Sequence, residues 1–299
     1  MMGGAAPVAW RGELRREEPL ARHTSWRVGG PAERFYRPLD LDDLAAFLAS
    51  LPPEEPVFWL GLGSNLLVRD GGIRGTVICT SGMRQGLRRL DATRLYAEAG
   101  VPCARVARFS ARCGLAGAEF LVGIPGTLGG ALAMNAGAFG GETWARVAAV
   151  ETLDRQGRRR RRQPGEYVVG YREVRGPEGE WFVAAELALE EDDPAAVQAR
   201  LKALLARRGS TQPTGQPSGG SVFRNPPGDH AGRLIEACGL KGHAVGGARV
   251  SEKHANFIIN DGTATARDIE RLIEYVAETV ARRQGVHLVP EVHIVGAAA

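Results

Sequence analysis

The chain has 299 residues, 44% of them hydrophobic and 24% charged, which is the ordinary balance of a globular protein of one or two domains. No stretch approaches the roughly 20 apolar residues that a membrane span needs, and charged residues interrupt the N-terminus, which predicts a cytoplasmic protein without a signal peptide. The net charge of +4 is compatible with nucleic-acid binding, but no aromatic residues interleave with the one dense basic cluster, Arg158 to Arg162, so we expect a small anionic substrate instead.

The first part of the chain alternates short strands with short helices. Asp40 is a good cap for a helix that runs through Leu48 and stops before Pro52, because apolar residues recur within it at spacings of three and four. Pro102 is predicted to open a second helix, which ends near Gly114. The predicted strands are 57–60, which runs into a glycine-rich turn at 61–65, then 66–68 and 76–78.

The remainder of the chain lacks the strict strand–helix alternation of a doubly wound parallel sheet, which predicts an α+β fold. Residues 154–157 have the composition of a hairpin turn, followed by the solvated basic strand Arg158 to Arg162. After a second glycine-dense region at 123–141, the predicted elements are strands at 147–154 and 181–190, a helix at 194–208, an exposed loop at 210–220, a helix at 229–238, a strand at 256–260, a helix at 265–284 and a closing strand at 286–295.

Cysteine and histidine spacing supports neither a metal site nor a disulfide framework. The four cysteines contain no CxxC pair and the histidines no HExxH motif. We therefore expect no metal, and free, partly buried thiols at Cys79, Cys103, Cys113 and Cys238.

The turn at 61–65 reads Gly-Leu-Gly-Ser-Asn. It is not a Rossmann fingerprint, because Leu66 replaces the third glycine and a strand follows in place of a helix. Its backbone N–H groups could still bind an anion, whereas the alternative is a tight hairpin with no ligand. The candidate cofactor-binding residues in this turn are Gly61, Gly63, Ser64 and Asn65.

A second glycine-dense loop, GIPGTLGG at 123–130, is predicted to open a helix at Pro125. The missing side chains would let a flat ring system or a diphosphate approach the backbone; the alternative is close packing of a helix on a strand. Two such loops in one half of the chain favour a dinucleotide that no Rossmann motif holds. The candidate cofactor-binding residues here are Gly123, Ile124, Pro125, Gly126, Thr127 and Gly130.

Three polar residues beyond these loops admit both a structural and a catalytic role. Ser221 follows two glycines, a position at which serine is usually a turn or cap residue. Glu291 lies in a nearly continuous apolar run, so it is either an exposed edge residue or, if buried, an acid or hydrogen-bond donor at neutral pH. Arg172 follows another apolar run and could be a simple ion-pair partner.

Seven segments of the chain form an ordered series of motifs. They are HTSWRVGGPAE at 23–33, GLGSNLLVRDGGIRG at 61–75, GIPGTLGGALAMNAGAFG at 123–140, GYRE at 170–173, GGSVFRNP at 219–226, AGRLIEACGLKG at 231–242 and PEVHIVG at 290–296. Together they resemble the UDP-N-acetylenolpyruvoylglucosamine reductase (MurB) family. Each motif alone is weak, but the complete series in this order is specific, and it covers about residues 23–296.

The resemblance implies an enzyme that uses non-covalently bound FAD, with NADPH as co-substrate, to reduce the UDP-sugar UDP-N-acetylenolpyruvoylglucosamine to UDP-N-acetylmuramate in peptidoglycan precursor synthesis. It implies an FAD-binding fold of the vanillyl-alcohol-oxidase (PCMH) type, with a C-terminal α+β substrate domain. We expect two FAD-binding subdomains, at 1–82 and 83–209, and a substrate-binding domain at 210–299. No obligatory protein partner is implied.

The resemblance also assigns roles to single residues. The turn at 61–65 and the loop at 123–130 would hold FAD. The family's catalytic positions fall on Arg172, Ser221 and Glu291. The expected substrate-binding positions are Tyr171, Arg224, Asn225 and Lys241, of which the last two would lie near the UDP diphosphate.

Two departures from the family pattern affect the expected site. Val174 stands where the family usually has serine, so a hydrogen bond near Arg172 is expected to be missing. The segment between Arg172 and Ser221 is short and lacks the inserted lid with a tyrosine that one branch of the family uses. We therefore expect the shorter branch, and the sequence does not indicate what closes over the diphosphate.

Two other functions fit parts of the sequence. A flavin oxidase of the same fold would use oxygen in place of the enolpyruvyl acceptor, but the segments at 219–226 and 290–294 argue against it. A basic nucleic-acid-binding protein is supported only by the sequence pI of about 9.1 and the arginine cluster.

Overall fold

A computed structural model describes residues 10–84 and 86–299 of the chain. These residues fall into two units, each built from three stretches of sequence. Unit 1 comprises the described residues of Met1–Arg15, Phe35–Gly61 and Thr76–Leu204; unit 2 comprises Arg16–Arg34, Leu62–Gly75 and Leu205–Ala299. The division into three consecutive domains that the resemblance suggests stays a prediction.

Strands and helices are mixed along the chain, which confirms the α+β class. The strands of the first half are β1 Glu13–Pro19, β2 Pro31–Arg37, β3 Val57–Leu60, β4 Leu66–Val68, β5 Ile73–Cys79, β6 Leu87–Arg89, β7 Arg94–Glu98, β8 Leu115–Ala116, β9 Gly137–Ala138 and β10 Gly141–Glu142. Those of the second half are β11 Val147–Asp154, β12 Arg159–Arg162, β13 Val168–Gly170, β14 Glu173–Arg175, β15 Glu180–Ala188, β16 Glu190–Glu191, β17 Ala244–Val245, β18 Ala248–Val250, β19 Ile258–Asn260 and β20 His293–Val295.

The helices agree closely with the periodic segments of the sequence. They are α1 Leu41–Ser50, α2 Cys103–Arg112, α3 Leu128–Ala133, α4 Pro194–Thr211, α5 Ala231–Ala237 and α6 Ala266–Gln284. Short 3-10 helices occur at Leu20–Arg22, Glu119–Gly123, Trp144–Arg146 and Pro164–Glu166. Among the described residues, every helix is too short or too polar to cross a bilayer.

Capping chemistry sets the ends of two predicted helices. The carboxylate of Asp40 accepts the N–H of Asp43 at 2.9 Å, which confirms it as the cap of α1. Thr265 and Asp268 form a reciprocal capping box at the start of α6, and Gly285 ends that helix with a φ of 69°.

Unit 1 is built on an antiparallel sheet in the order β12-β11-β15-β7-β6, with β3 and β5 paired in parallel beside it in the unit. Helix α1 buries its apolar face in one core of this unit, because its apolar residues recur with the helical period. The buried residues of that core are Tyr36, Leu41, Leu44, Phe47, Leu48, Ile78, Met83, Leu153 and Val183.

Unit 2 combines the antiparallel sheet β17-β18-β19 and the parallel pair β20-β4 with helices α5 and α6. One face of α6 is apolar over its whole length and lies in the core of the unit. The most buried residues of this core include Trp26, Val222, Phe223 and Val280, each with 2% or less of its surface exposed.

Three expectations about local structure are wrong. The closing strand occupies only His293–Val295, and before it the chain forms just an isolated bridge, between Pro290 and Phe223. The turn at 61–65 is not a hairpin, since β3 pairs with β5 and β4 with β20. Helix α3 begins at Leu128, three residues after Pro125, because the extended Thr127 accepts the N–H of Gly130 at 3.4 Å and caps it.

The arginine cluster forms the outer strand of a hairpin, as predicted. Gly157 makes the turn with a φ of 73°, and β12 pairs with β11 in antiparallel fashion. Each arginine of β12 lies beside a carboxylate of the same unit, for example Arg161 at 3.0 Å from Glu186 and Arg159 at 2.8 Å from Asp42. The positive charge of the strand is therefore balanced internally, which argues against a nucleic-acid surface there.

Changing Arg159 and Arg161 together to Gln should leave turnover within about twofold, because exposed ion pairs contribute little to stability. Steady-state turnover of the purified variant is the measurement. Arg162→Gln is the comparison for stability, since its partner Glu180 is only 8% exposed and would lose a nearly buried ion pair. A large loss of turnover in the double variant would mean that these arginines contact the substrate.

All four cysteines are free thiols, as expected from their spacing. Cys79, Cys103 and Cys238 are buried, and Cys113 is partly exposed.

Candidate active site

Two glycines of unit 1 allow neighbouring side chains to pack directly against the backbone. A Cβ on Gly61 would lie 2.5 Å from Oγ1 of Thr127, and one on Gly123 would lie 2.6 Å from Cε2 of Phe139. Both distances are shorter than real Cβ contacts allow, so a side chain is excluded at each position. Close packing therefore explains these two glycines. At Gly130 the nearest atom would be 3.8 Å away, so packing does not explain the missing side chain there.

The loop at 123–130 also offers backbone donors. Cys103 donates its N–H to the carbonyl of Gly126 at 2.9 Å, and this bond fixes the loop against the start of α2. Among the described residues, the N–H groups of Gly126 and Thr127 donate to no other atom of the chain. Successive unused N–H groups in a tight loop form a concavity that suits an anion such as a diphosphate.

Residues 62–65 of the first glycine-rich turn, which belong to unit 2, have the same property. Gly63 has a φ of 59°, and a Cβ there would lie 2.1 Å from the carbonyl oxygen of His23, so only glycine fits. Within the described part of the chain, the N–H groups of Gly63 and Ser64 are likewise not used by any acceptor. Each segment, within its own unit, therefore offers unused backbone donors that suit an anion such as a phosphate group.

Arg172 lies in unit 1, at the tip of the β13–β14 hairpin. Its φ of 57° is unusual for a residue other than glycine and costs roughly 1 kcal/mol. Its guanidinium donates to the carbonyls of Gly137 at 3.0 Å and Asn135 at 3.4 Å, and it lies over the ring of Tyr171 at 5.0 Å. These contacts set the direction of the guanidinium toward the main chain of residues 135–137.

Asn135 connects this hairpin to the segment 135–144, which follows α3. Its side chain is 2% exposed and donates to Glu142 at 3.0 Å and to the carbonyl of Gly170 at 3.1 Å. It also accepts the N–H of Trp144 at 3.1 Å. The sequence shows Asn135 only as one of several small residues, and nothing in its neighbours indicates these long-range bonds.

Ser221 lies in unit 2, in a short arch formed by Gly219, Gly220 and Ser221. The residue before the arch, Ser218, is bridged to Ile259, and the N–H of Val222 donates to the carbonyl of Asn256 at 2.9 Å. Between these two contacts the arch has three residues and the facing segment only two, 257 and 258. The arch therefore bulges outward. Gly219 is needed because a Cβ there would lie 2.5 Å from the ring of Trp26.

Glu291 is brought next to this arch by main-chain bonds. Its N–H donates to the carbonyl of Val222 at 2.7 Å, and its own carbonyl accepts the side-chain amide of Asn65 at 3.1 Å. Its side chain is partly buried, which is neither the fully exposed nor the fully buried state considered from the sequence. Three predicted site residues, Asn65, Ser221 and Glu291, thus lie together in unit 2.

The predicted substrate-binding residues are more dispersed. Tyr171 is 50% exposed at the hairpin tip, and the N–H of Arg224 donates to the carbonyl of Val289 at 2.9 Å. Asn225 accepts the first N–H of α5 at 3.1 Å, whereas Lys241 follows the other end of that helix and pairs with Glu236 at 2.6 Å. Asn225 and Lys241 therefore lie at opposite ends of α5, about 10 Å of helix apart.

Comparison with known proteins gives consistent results over the whole chain. A family model described as "FAD binding domain" matches residues 32–162, and one described as "UDP-N-acetylenolpyruvoylglucosamine reductase, C-terminal domain" matches residues 212–295. The UDP-N-acetylenolpyruvoylglucosamine reductase of Alkalilimnicola ehrlichii is 68% identical over 287 residues, 96% of each chain. That of Methylococcus capsulatus is 67% identical over 294 residues, 98% of this chain and 96% of the relative. The crystal structure of the reductase (MurB) from Thermus caldophilus is similar, with a TM-score of 0.80 at 35% identity, covering 95% of this chain and 98% of that chain.

Proposed function

The chain belongs to the UDP-N-acetylenolpyruvoylglucosamine reductase family, and we propose that it performs the family's reaction with its own Arg172, Ser221 and Glu291. The reaction is the FAD-dependent reduction of UDP-N-acetylenolpyruvoylglucosamine to UDP-N-acetylmuramate in peptidoglycan precursor synthesis. The FAD-binding fold with a C-terminal substrate domain is confirmed by the two matched models. The observation that carries the assignment of roles is the network in unit 2 that brings Ser221 and Glu291 together.

The residues that would hold FAD are those with unused backbone donors in the two glycine-rich segments. They are Gly63, Ser64, Gly126 and Thr127, and the packed glycines at 61 and 123 keep side chains out of the same loops. When bound, FAD supplies the redox chemistry, taking a hydride from NADPH and passing it to the enolpyruvyl double bond. The protein's own residues must then bind the substrate, stabilise charge and supply a proton.

Arg172 is proposed to stabilise the negative charge that develops beside the substrate carboxylate. Stabilisation of this kind requires a donor that is already oriented before the reaction, because reorientation during the step would cost energy. The two carbonyl groups that accept hydrogen bonds from the Arg172 guanidinium, those of Asn135 and Gly137, provide such an orientation.

Ser221 is proposed to deliver the proton that completes the saturated product. A hydroxyl is small and neutral, and the arch at 219–221 holds it at a defined place in the chain. Glu291, whose main chain is bonded to that of Val222, is the second candidate for charge stabilisation and the alternative proton donor, in both roles as a protonated carboxyl group. Tyr171, Arg224, Asn225 and Lys241 are proposed to bind the UDP-sugar, with Asn225 and Lys241 near its diphosphate.

The visible spectrum of the purified protein is the direct test of this function. The protein should be yellow, should bleach on addition of NADPH, and should regain its colour under anaerobic conditions on addition of the enolpyruvyl UDP-sugar. The same experiment with oxygen and no UDP-sugar separates the reductase from a flavin oxidase of the same fold, which would regain its colour rapidly with oxygen alone. A protein that takes up no flavin would contradict both.

Acid precipitation should release all of the yellow colour into the supernatant, because we expect the FAD to be bound without a covalent link. The absorbance of the supernatant and the pellet is the measurement. Colour that stays with the pellet after washing would show a covalent bond to the protein.

A further inference from the structure

We propose that Asn256 is a positioning residue that holds Ser221 in place for proton delivery, by fixing the main chain that follows it. The inference deepens the proposed function and rests on the role of Ser221 given there. Neither the sequence motifs nor the expected site residues include Asn256.

Asn256 binds the chain next to Ser221 at three points. Its side-chain oxygen accepts the N–H of Phe223 at 2.9 Å, and its side-chain nitrogen donates to the carbonyl of Phe223 at 2.8 Å. Its main-chain carbonyl accepts the N–H of Val222 at 2.9 Å. The amide side chain thus imitates the paired donor and acceptor of a neighbouring strand, and it is 3% exposed.

The bonds from Asn256 close one end of the arch, and other contacts close the opposite end. Ser218 is bridged to Ile259, and its carbonyl accepts the hydroxyl of Ser25 at 2.6 Å. Between these fixed ends lie only Gly219, Gly220 and Ser221, and the two glycines are the most flexible residues a chain can have. The position of Ser221 therefore depends on the end nearest to it, which is the end that Asn256 holds.

The same segment also carries the bond to Glu291. The carbonyl of Val222 accepts the N–H of Glu291 at 2.7 Å. Val222 directly precedes Phe223, to which the side chain of Asn256 bonds. Pro290 stands opposite Phe223 in a pair whose bonds are made by the flanking residues, so the N–H and carbonyl of Phe223 are not used on that side. Asn256 bonds to both of these main-chain groups from the other side.

His254 supports Asn256 in this position. The N–H of Asn256 donates to Nδ1 of His254 at 3.3 Å, which requires that nitrogen to be unprotonated. Burial lowers the pKa of His254, which favours the neutral ring that can accept this bond.

The two half-reactions, followed by stopped-flow absorbance, test the proposal with Asn256→Ala, Ser221→Ala and the double variant. Asn256→Ala should bleach with NADPH within about twofold of the wild-type rate, but its limiting rate of reoxidation by the enolpyruvyl UDP-sugar should fall about 10-fold, since small misplacement of a catalytic group has effects of this order. The substrate concentration at half of that limiting rate should change by less than about threefold, because Asn256 is not expected to bind the substrate.

The double variant separates positioning from a general structural effect. If Asn256 acts through Ser221, its loss has no further consequence once the hydroxyl is gone, so the double variant should reoxidise within about twofold of Ser221→Ala alone. A further 10-fold slowing in the double variant would overturn the proposal, and so would a wild-type rate of reoxidation in Asn256→Ala.

Val280→Ala is the control for lost stability, because it removes buried atoms from α6 in the same unit without touching the arch. It should lower the melting temperature and leave both half-reactions within about twofold of wild type. If Asn256→Ala does not fold, Asn256→Asp keeps the acceptor for the N–H of Phe223 but sets a carboxylate oxygen against its carbonyl, and it should show the same pattern with at least as large an effect. A rapid Ser221→Ala would contradict the proposed function, whereas a slow Ser221→Ala with a rapid Asn256→Ala contradicts only the role of Asn256.

Discussion

Ser221→Ala should slow reoxidation of the reduced protein by the enolpyruvyl UDP-sugar by about 10²-fold or more, the scale expected for the loss of a general acid. Reduction by NADPH should proceed at close to the wild-type rate, because no proton from Ser221 is needed in that half-reaction. The arch at 219–221 is fixed at both ends by bonds that do not involve the serine side chain, so the substitution should not disturb the fold.

Stopped-flow absorbance of the flavin measures each half-reaction of this variant separately. Ser221→Cys is the matched comparison, since a thiol can also donate a proton and should restore part of the rate. If Ser221→Ala slowed both half-reactions equally, the residue would be shaping the place where the flavin binds. If it slowed neither, Glu291 would become the leading candidate for the proton donor.

Arg172→Ala should slow reoxidation by about 10²- to 10³-fold, which is the usual effect of removing one pre-oriented group that stabilises developing charge. Reduction by NADPH should again be nearly unchanged. Arg172→Lys should recover little of the rate, because an ammonium group keeps the charge but lacks the planar array of donors that contacts the carbonyls of Asn135 and Gly137.

Arg175 provides a control on the same hairpin. Its side chain is 74% exposed and pairs with Glu173 at 2.8 Å, so Arg175→Gln removes a positive charge from β14 without touching the glycine-rich loop. Both half-reactions of Arg175→Gln should stay within about twofold of wild type. Equal losses of rate in Arg172→Ala and Arg175→Gln would mean that the net positive charge of the hairpin, and not the position of the Arg172 guanidinium, supports the reaction.

Much of the secondary structure could be predicted because its causes are local. Asp40 and Thr265 cap helices through bonds that reach only three residues along the chain, and Gly157 turns a hairpin whose strands are consecutive. The failures have causes that lie further along the chain: the turn at 61–65 is not a hairpin, because β3 pairs with β5 and β4 with β20.

The candidate site, too, could be predicted from the sequence only in part. The motifs that contain Ser221, Arg172 and Glu291 were recognisable as a family series, and their residue types suit charge stabilisation and proton transfer. Their order along the chain could not reveal that the main chain of Glu291 binds both Val222 and the side chain of Asn65.

The sequence by itself therefore determined most of the helices, the hairpin of β11 and β12, the family and its reaction, because caps and turns depend on neighbouring residues and the order of the motifs can be read along the chain. Only the tertiary structure decided that β4 pairs with β20 and that Asn135 and Asn256 hold the segments carrying Arg172 and Ser221. An asparagine amide can bond with any exposed backbone group and prefers none in the sequence. Its hydrogen-bond partners are determined only in the folded chain, where burial removes water and leaves one backbone donor and one backbone acceptor within hydrogen-bond distance.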